Sequence, residues 1–389
     1  MNKRLADAPA GGTVDLIDGI LDRAIAARAS DVHFEPTDRE VRVRFRVDGR
    51  LHDIEALPAA LLPNLVTRLK VMAGLLSYRI DIPQEGGLTL DRGVPMDVRI
   101  STFPTIRGER VAVRLLPRAA EVRGLDDLGL SEPSVRSLVS ASAAEQGLIL
   151  VTGPAGSGKT TTLYAVLRHL RTAMHGASLM TVEDPVELRL DGVAQIQVAP
   201  HGELTYARAL RSLLRQDPQV ILIGEIRDAE TARIATEAAL TGHLILSTMH
   251  SGRSIDAIVR MLEMGIPAYQ LTSTLRVVTC QRLLRTLCPS CRGAAQDRPA
   301  DQSCRDCLNL GFRGRTACAE VVRMTDELRT AILGHADTRR LAEAVRNQTG
   351  YVSLAADAER HLHAGRTPPE EIDALTATLR GCSPPNPEG

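Results

Sequence analysis

Residues Gly153 to Thr160 read GPAGSGKT, a complete G-x-x-x-x-G-K-[ST] phosphate-binding loop, and the apolar run Leu148 to Val151 before it supplies the strand such a loop needs. This order dictates a buried strand, a tight glycine turn and a helix, so an α/β layer must form around the loop. Thr161 to Arg171 has the composition of that helix, whose positive N-terminal dipole then faces the phosphates of a nucleoside triphosphate. Gly153, Pro154, Ala155, Gly156, Ser157, Gly158, Lys159, Thr160 and Thr161 are the expected nucleotide-contacting residues. The glycines let the backbone wrap the α- and β-phosphates, Lys159 reaches the β- and γ-phosphates, and the Thr160 hydroxyl ligates Mg²⁺. Lysine occurs otherwise only at Lys3 and Lys70 in an arginine-rich chain, which sets Lys159 apart.

At 389 residues the chain is long enough for two or three domains with their own cores. Its 44% hydrophobic and 24% charged residues exclude disorder throughout. A formal net charge of zero gives no global pull toward nucleic acid or membrane, and four Phe with no Trp leave no stacking surface for a translocated strand. No nucleic-acid partner is therefore expected. No apolar run of about 18 residues occurs, and Met1 to Thr13 lacks the hydrophobic segment of a secretory signal, so a cytoplasmic location is expected.

The ends, 1–13 and 383–389, read as disordered tails. Between them, apolar residues recur at helical spacing from Val14 to Ala27, and Val41 to Val47 alternates strictly, with Arg42, Arg44 and Arg46 on the polar face. A turn at Asp48-Gly49 leads to a partner strand near Leu51 to Ile54, and further strands are expected at Met96 to Ile100 and Val111 to Leu116. Residues 14–116 thus predict an α+β domain, 117–124 a linker and 125–382 an α/β domain.

In the second domain Leu148 to Val151, Val220 to Ile223 and Leu244 to Leu246 are apolar on both faces, as buried parallel strands are, with a fourth candidate at Leu179 to Val182. Ligands in such sheets sit beyond the carboxyl ends of the strands. Those ends bring the phosphate loop, Glu183-Asp184, Glu225 and His250 to one place. Glu183 is the preferred water-activating residue, with Asp184 helping to hold the ion or the loop; otherwise the pair caps a turn before Pro185. Glu225 suits the carboxylate near Mg²⁺, although Gly224 precedes it where many phosphate-loop enzymes carry Asp. His250 orients water or senses the γ-phosphate; otherwise, as a lone histidine, it is structural. Arg211 and Arg215, spaced to share a helix face, and Arg227 can neutralise phosphate charge or make a subunit contact. Arg99 and Arg114, on strands of the first domain, are candidates for fingers supplied across a boundary.

Cys288-x-x-Cys291 and Cys304-x-x-Cys307 form two knuckles whose sulfurs suit one structural tetrahedral Zn²⁺, in a module at about 284–316. Cys280, Cys318 and Cys382 have no such spacing.

Taken together, these motifs resemble the secretion and pilus-assembly ATPases, the GspE/PulE/PilB group of type II secretion and type IV pilus motors. The resemblance runs from about Val14 to Gly350. It is carried by Ala29-Ser-Asp-Val-His-Phe-Glu-Pro36, Arg44-Phe-Arg-Val-Asp-Gly49, the phosphate loop, Thr181 to Glu187, Leu214 to Pro218, Gly224 to Asp228, Thr241 to Leu244 with Ser247 to His250, and the cysteine module. It implies a PAS-like first domain and a RecA-like ATPase domain in a homo-hexamer, with ATP, Mg²⁺ and structural Zn²⁺ as cofactors. In that hexamer, Arg99 and Arg114 of one subunit close over nucleotide held by another. It also implies docking on an inner-membrane platform protein at the inner face of that membrane, with membrane association through partners only. The extra N-terminal docking domain of larger members is outside the resemblance, and the cysteine module is shorter than is typical. Retraction motors of the PilT kind lack that module, so its presence implies an assembly or secretion motor. A nucleotide-binding scaffold or regulator without turnover, or a pilus retraction motor, is the alternative.

Overall fold

The computed structural model describes residues 12–93, 95–117, 123–198, 203–294, 304 and 306–381. The expected tails at 1–11 and 383–389, most of the linker, and Cys382 lie outside these residues. The chain divides into two compact units, Met1–Glu121 with Cys288–Arg313, and Val122–Leu287 with Gly314–Gly389.

The first unit runs α1 (Gly12–Ala26), β1 (Asp31–Pro36), β2 (Glu40–Val47), β3 (Arg50–Pro58), α2 (Leu62–Met72), β4 (Gln84–Asp91), β5 (Pro95–Thr105) and β6 (Gly108–Pro117). Gly12 and Thr13, expected in the tail, open α1. The strands make a six-stranded sheet in the order β3-β2-β1-β6-β5-β4. Strict alternation in β2 buries Val41, Val43, Phe45 and Val47 against Ile17, Ile20 and Leu21 of α1 and Leu65 and Leu69 of α2. Asp48 and Gly49 both take positive φ, as a two-residue hairpin turn requires. Lys70 is fully buried on α2, where its ammonium pairs with Glu109 at 2.6 Å and donates to the Arg79 carbonyl at 2.6 Å. Lysine scarcity therefore singles out two buried lysines, only one of them in the phosphate loop.

The opposite sheet face is polar. On central β1, Asp31 and Glu35 each pair with arginines from both neighbouring strands: Arg46 (3.4 Å) and Arg114 (3.1 Å) on Asp31, Arg44 (3.2 Å) and Arg110 (2.7 Å) on Glu35. The segment Cys288–Arg313 groups in space with this unit, and its Leu310 packs against the unit's core. Sequence expectation placed the cysteine module inside the second domain; it is inserted there along the chain, but its apolar contact is with the first unit.

The second unit contains α3 (Glu132–Ser142), β7 (Gly147–Thr152), α4 (Lys159–Ala173), β8 (Leu179–Glu183), β9 (Ala194–Gln197), α5 (Tyr206–Leu213), β10 (Val220–Ile223), α6 (Ala229–Leu240), β11 (Leu244–Met249), α7 (Ser254–Glu263), α8 (Ala268–Thr274), β12 (Leu275–Leu287), β13 (Phe312–Arg323) and four C-terminal helices, α9 (Asp326–Leu333), α10 (Thr338–Arg346), α11 (Leu354–His363) and α12 (Pro369–Gly381). The sheet order is β13-β12-β7-β11-β10-β8-β9, and from β12 through β7, β11, β10 and β8 to β9 each strand runs parallel to the next. This is the RecA-like parallel core the motifs imply. β7, β10 and β11 are buried along their whole length, because helices cover both faces of a parallel sheet. Registers pair Thr152 with Met249, Ser247 with Ile223, and Ile223 with Val182, so the strand ends lie side by side.

Candidate active site

Immediately after β7, Gly153, Gly156 and Gly158 take positive φ and turn the chain into α4, whose first residue is Lys159. The Lys159 ammonium donates to the loop's own Gly153 and Pro154 carbonyls, both at 3.0 Å, and lies 3.4 Å from His250 Nδ1. Burial lowers its pKa, Glu225 opposes that shift and Arg282 adds to it. Across the imidazole, Nε2 is 3.1 Å from Glu225 Oε1, and the other carboxylate oxygen accepts from Arg227 at 2.7 Å. With the ammonium donating to Nδ1, the ring proton sits on Nε2 and faces the carboxylate. Lysine, histidine, glutamate and arginine thus form one line across the ends of β7, β11 and β10. The Arg227 guanidinium has its pKa raised, first by its hydrogen bond to Glu225.

The polar residues that end β11 are buried without cost because the neighbouring strand supplies acceptors. Ser247 donates to the Ile223 carbonyl at 2.8 Å and Thr248 to that of Gly224 at 2.7 Å, fixing the turn that presents Glu225. Gly224 itself is explained by close approach. A Cβ there would sit 2.8 Å from the Tyr206 hydroxyl and 3.3 Å from the Glu183 Cα, so an Asp at this position would have to push the Tyr206 side chain aside.

Glu183, expected to activate water, is 2% exposed. Tyr164 donates to one of its carboxylate oxygens, while Thr181 (2.6 Å) and Gln195 (3.2 Å) donate to the other. Burial raises the pKa of Tyr164, with the Glu183 charge and hydrogen bond adding to the shift. Glu225 is a little more open, its side chain 12% exposed. Asp184 follows β8, and after burial it is the largest influence raising the pKa of Tyr206.

The helix face expected for Arg211 and Arg215 is not formed, since α5 ends at Leu213. Arg215 lies beyond it and donates back to the Arg211 carbonyl at 2.9 Å, while Arg211 pairs with Glu230 of α6 at 2.6 Å. In the first unit, Arg99 and Arg114 are direct register partners on β5 and β6. Two guanidiniums opposite one another repel, and Asp31 beside Arg114 only partly offsets this.

The Sγ atoms of Cys288, Cys291, Cys304 and Cys307 all lie within 4.8 Å of one another, and all four residues are buried. Cys288–Cys304 and Cys291–Cys307 are 3.8 Å and 3.6 Å apart. A tetrahedron of thiolates about 2.3 Å from a zinc ion has edges of about 3.8 Å, so the four sulfurs fit one ion. Cys280 and Cys318 are buried singly elsewhere.

Sequence reading missed Gln281, Tyr164 and Tyr206. Gln281 follows the apolar run Val277-Val278 in a strand that also carries Arg276, Thr279 and Arg282, so its amide did not stand out. The tyrosines carried no signal.

A family model described as type II/IV secretion system protein matches residues 7–374. The type II secretion system protein E of Dickeya dadantii is 42% identical over 95% of this chain and 76% of its own length. The type II secretion system ATPase E of Vibrio cholerae is 39% identical over the same shares, 95% and 76%. The solved structure of the Legionella pneumophila ATPase DotB matches with a TM-score of 0.73 at 24% identity, covering 97% of this chain and all of that one, which shows a shared fold. With its match extending from the first unit through the strand-end site and the cysteine tetrad, this chain belongs to the type II/IV secretion system protein family.

Proposed function

We propose that the chain is a motor ATPase that hydrolyses Mg²⁺-ATP to drive assembly of a type II secretion pseudopilus or type IV pilus. The observation that carries this is the line from Lys159 through His250 to Glu225 and Arg227 at adjacent parallel strand ends. Nucleotide phosphates draw the ammonium off His250, and the imidazole and Glu225 are then placed to orient the attacking water. Glu183, held by three donors, serves as the buried floor of the site. Thr160 ligates Mg²⁺, and Asp184 lies beside the site. The working form is a homo-hexamer at the inner face of the inner membrane, docked on a platform protein. No helix of the described residues is long and apolar enough to cross a membrane.

Arg99 and Arg114 support a subunit-shared site, because two opposed cations on one sheet face gain most when an anion bound to another chain lies between them. Mixing Arg114→Ala chains with Lys159→Ala chains tests this. Each supplies what the other lacks, so mixed assemblies should regain part of the hydrolysis that both parents lose; no recovery at any ratio would mean both residues act within one chain.

The metal of the tetrad is zinc in this reading, and it is structural, because four thiolates leave no open position. Metal analysis of freshly purified protein should give one zinc per chain. Cys304→Ser should lose it and unfold residues near 288–313 before the phosphate loop loosens. Unchanged metal content in that variant would refute the assignment.

A further inference from the structure

β12 pairs with β7 up to Cys280 opposite Thr152, and its next residue, Gln281, runs on beside the phosphate loop. The Gln281 side chain is buried, 1% exposed, and its amide makes two hydrogen bonds. Nε2 donates to the Ser157 carbonyl at 2.8 Å, and Oε1 accepts from the Thr162 hydroxyl on the first turn of α4 at 2.8 Å. In a trans peptide the C=O and N–H point in opposite directions. Drawing the Ser157 carbonyl toward β12 therefore turns the Gly158 N–H the other way. Gly158 takes φ 85°, which favours glycine by itself, and a Cβ there would also approach Nε2 to 2.9 Å.

The neighbouring Arg282 fixes this strand end in turn. Its guanidinium donates to the Gln281 carbonyl at 3.0 Å and to the Gly252 carbonyl, two residues past His250, at 2.9 Å. One buried dipeptide thus ties the loop, the first turn of α4 and the segment after His250 together.

We propose that Gln281 is a positioning residue of the phosphate loop, whose amide orients the Ser157–Gly158 peptide so that the Gly158 N–H faces the phosphates of bound nucleotide. The inference rests on the nucleotide-binding reading above. Gln281 touches no phosphate; it sets the direction of a donor that does. Its loss removes binding common to ground and transition states, so nucleotide affinity should fall more than turnover at saturation.

The test uses the full chain and Mg²⁺-ADP as the binding probe, with KM and kcat for Mg²⁺-ATP and the melting temperature of nucleotide-free protein measured alongside. Gln281→Met keeps the volume and removes both hydrogen bonds. Gln281→Glu keeps an acceptor for Thr162 but sets a carboxylate against the Ser157 carbonyl. Both should weaken Mg²⁺-ADP binding roughly tenfold or more, the scale of a hydrogen-bond loss that leaves a buried carbonyl unpaired. KM should rise to match, with kcat changed by less than about threefold. Thr162→Val breaks the tie from the helix side, and its effect should be lost on the Gln281→Met background, because both changes then remove one network. Wild-type-like affinity in both Gln281 variants, or full additivity with Thr162→Val, would overturn the proposal. Should Gln281→Met fail to fold, the Gln281→Glu and Thr162→Val chains carry the same test. A wild-type chain that does not bind Mg²⁺-ADP would instead overturn the nucleotide reading itself.

Discussion

Lys159→Ala should reduce ATP hydrolysis by roughly 10²-fold to 10³-fold or more while the chain stays folded, because the β- and γ-phosphates lose the point charge of the loop. The side chain is buried at the start of α4, yet among the described residues its ammonium hydrogen-bonds to the Gly153 and Pro154 carbonyls and His250. Those carbonyls can accept from water once the ammonium is gone. The fold keeps β7 and α4, so a melting temperature close to the wild type is expected. Loss of soluble protein, rather than of phosphate release, would make the residue structural.

Glu225→Gln should lower turnover by roughly 10²-fold or more and retain nucleotide binding, since the amide keeps the shape but gives up the charge that faces His250 and Arg227. The matched variant is Glu183→Gln. Its carboxylate is committed to Tyr164, Thr181 and Gln195, so the amide should disturb packing at the site floor more than proton transfer. Steady-state rates and nucleotide affinities of the two variants decide between them. Near-normal turnover in Glu225→Gln with loss in Glu183→Gln would return the water-activating role to Glu183, where the sequence alone had put it.

What was legible in the chain was legible for physical reasons. Parallel strands buried on both faces must be apolar throughout, so Leu148 to Val151, Val220 to Ile223 and Leu244 to Leu246 stood out, and the residues that end them fell into one site. The alternation of Val41 to Val47 fixed the inward face of the first sheet in the same way. What stayed hidden depended on contacts distant in sequence. Nothing near Glu183 announces that Tyr164 and Gln195 will cover its carboxylate, and nothing near Gly224 announces the Tyr206 hydroxyl. The i, i+4 spacing of Arg211 and Arg215 assumed a helix that stops at Leu213. The cysteine spacing revealed the tetrad, but not that Leu310 would pack on the core of the first unit.

The most direct test of the motor reading is phosphate released per chain with time, for the full chain at saturating Mg²⁺-ATP beside Lys159→Ala. The account predicts release that continues linearly through many turnovers in the wild type and falls near background in the variant. Tight nucleotide binding with release that stops at or below one phosphate per chain would contradict it, leaving a nucleotide-binding scaffold in place of a motor.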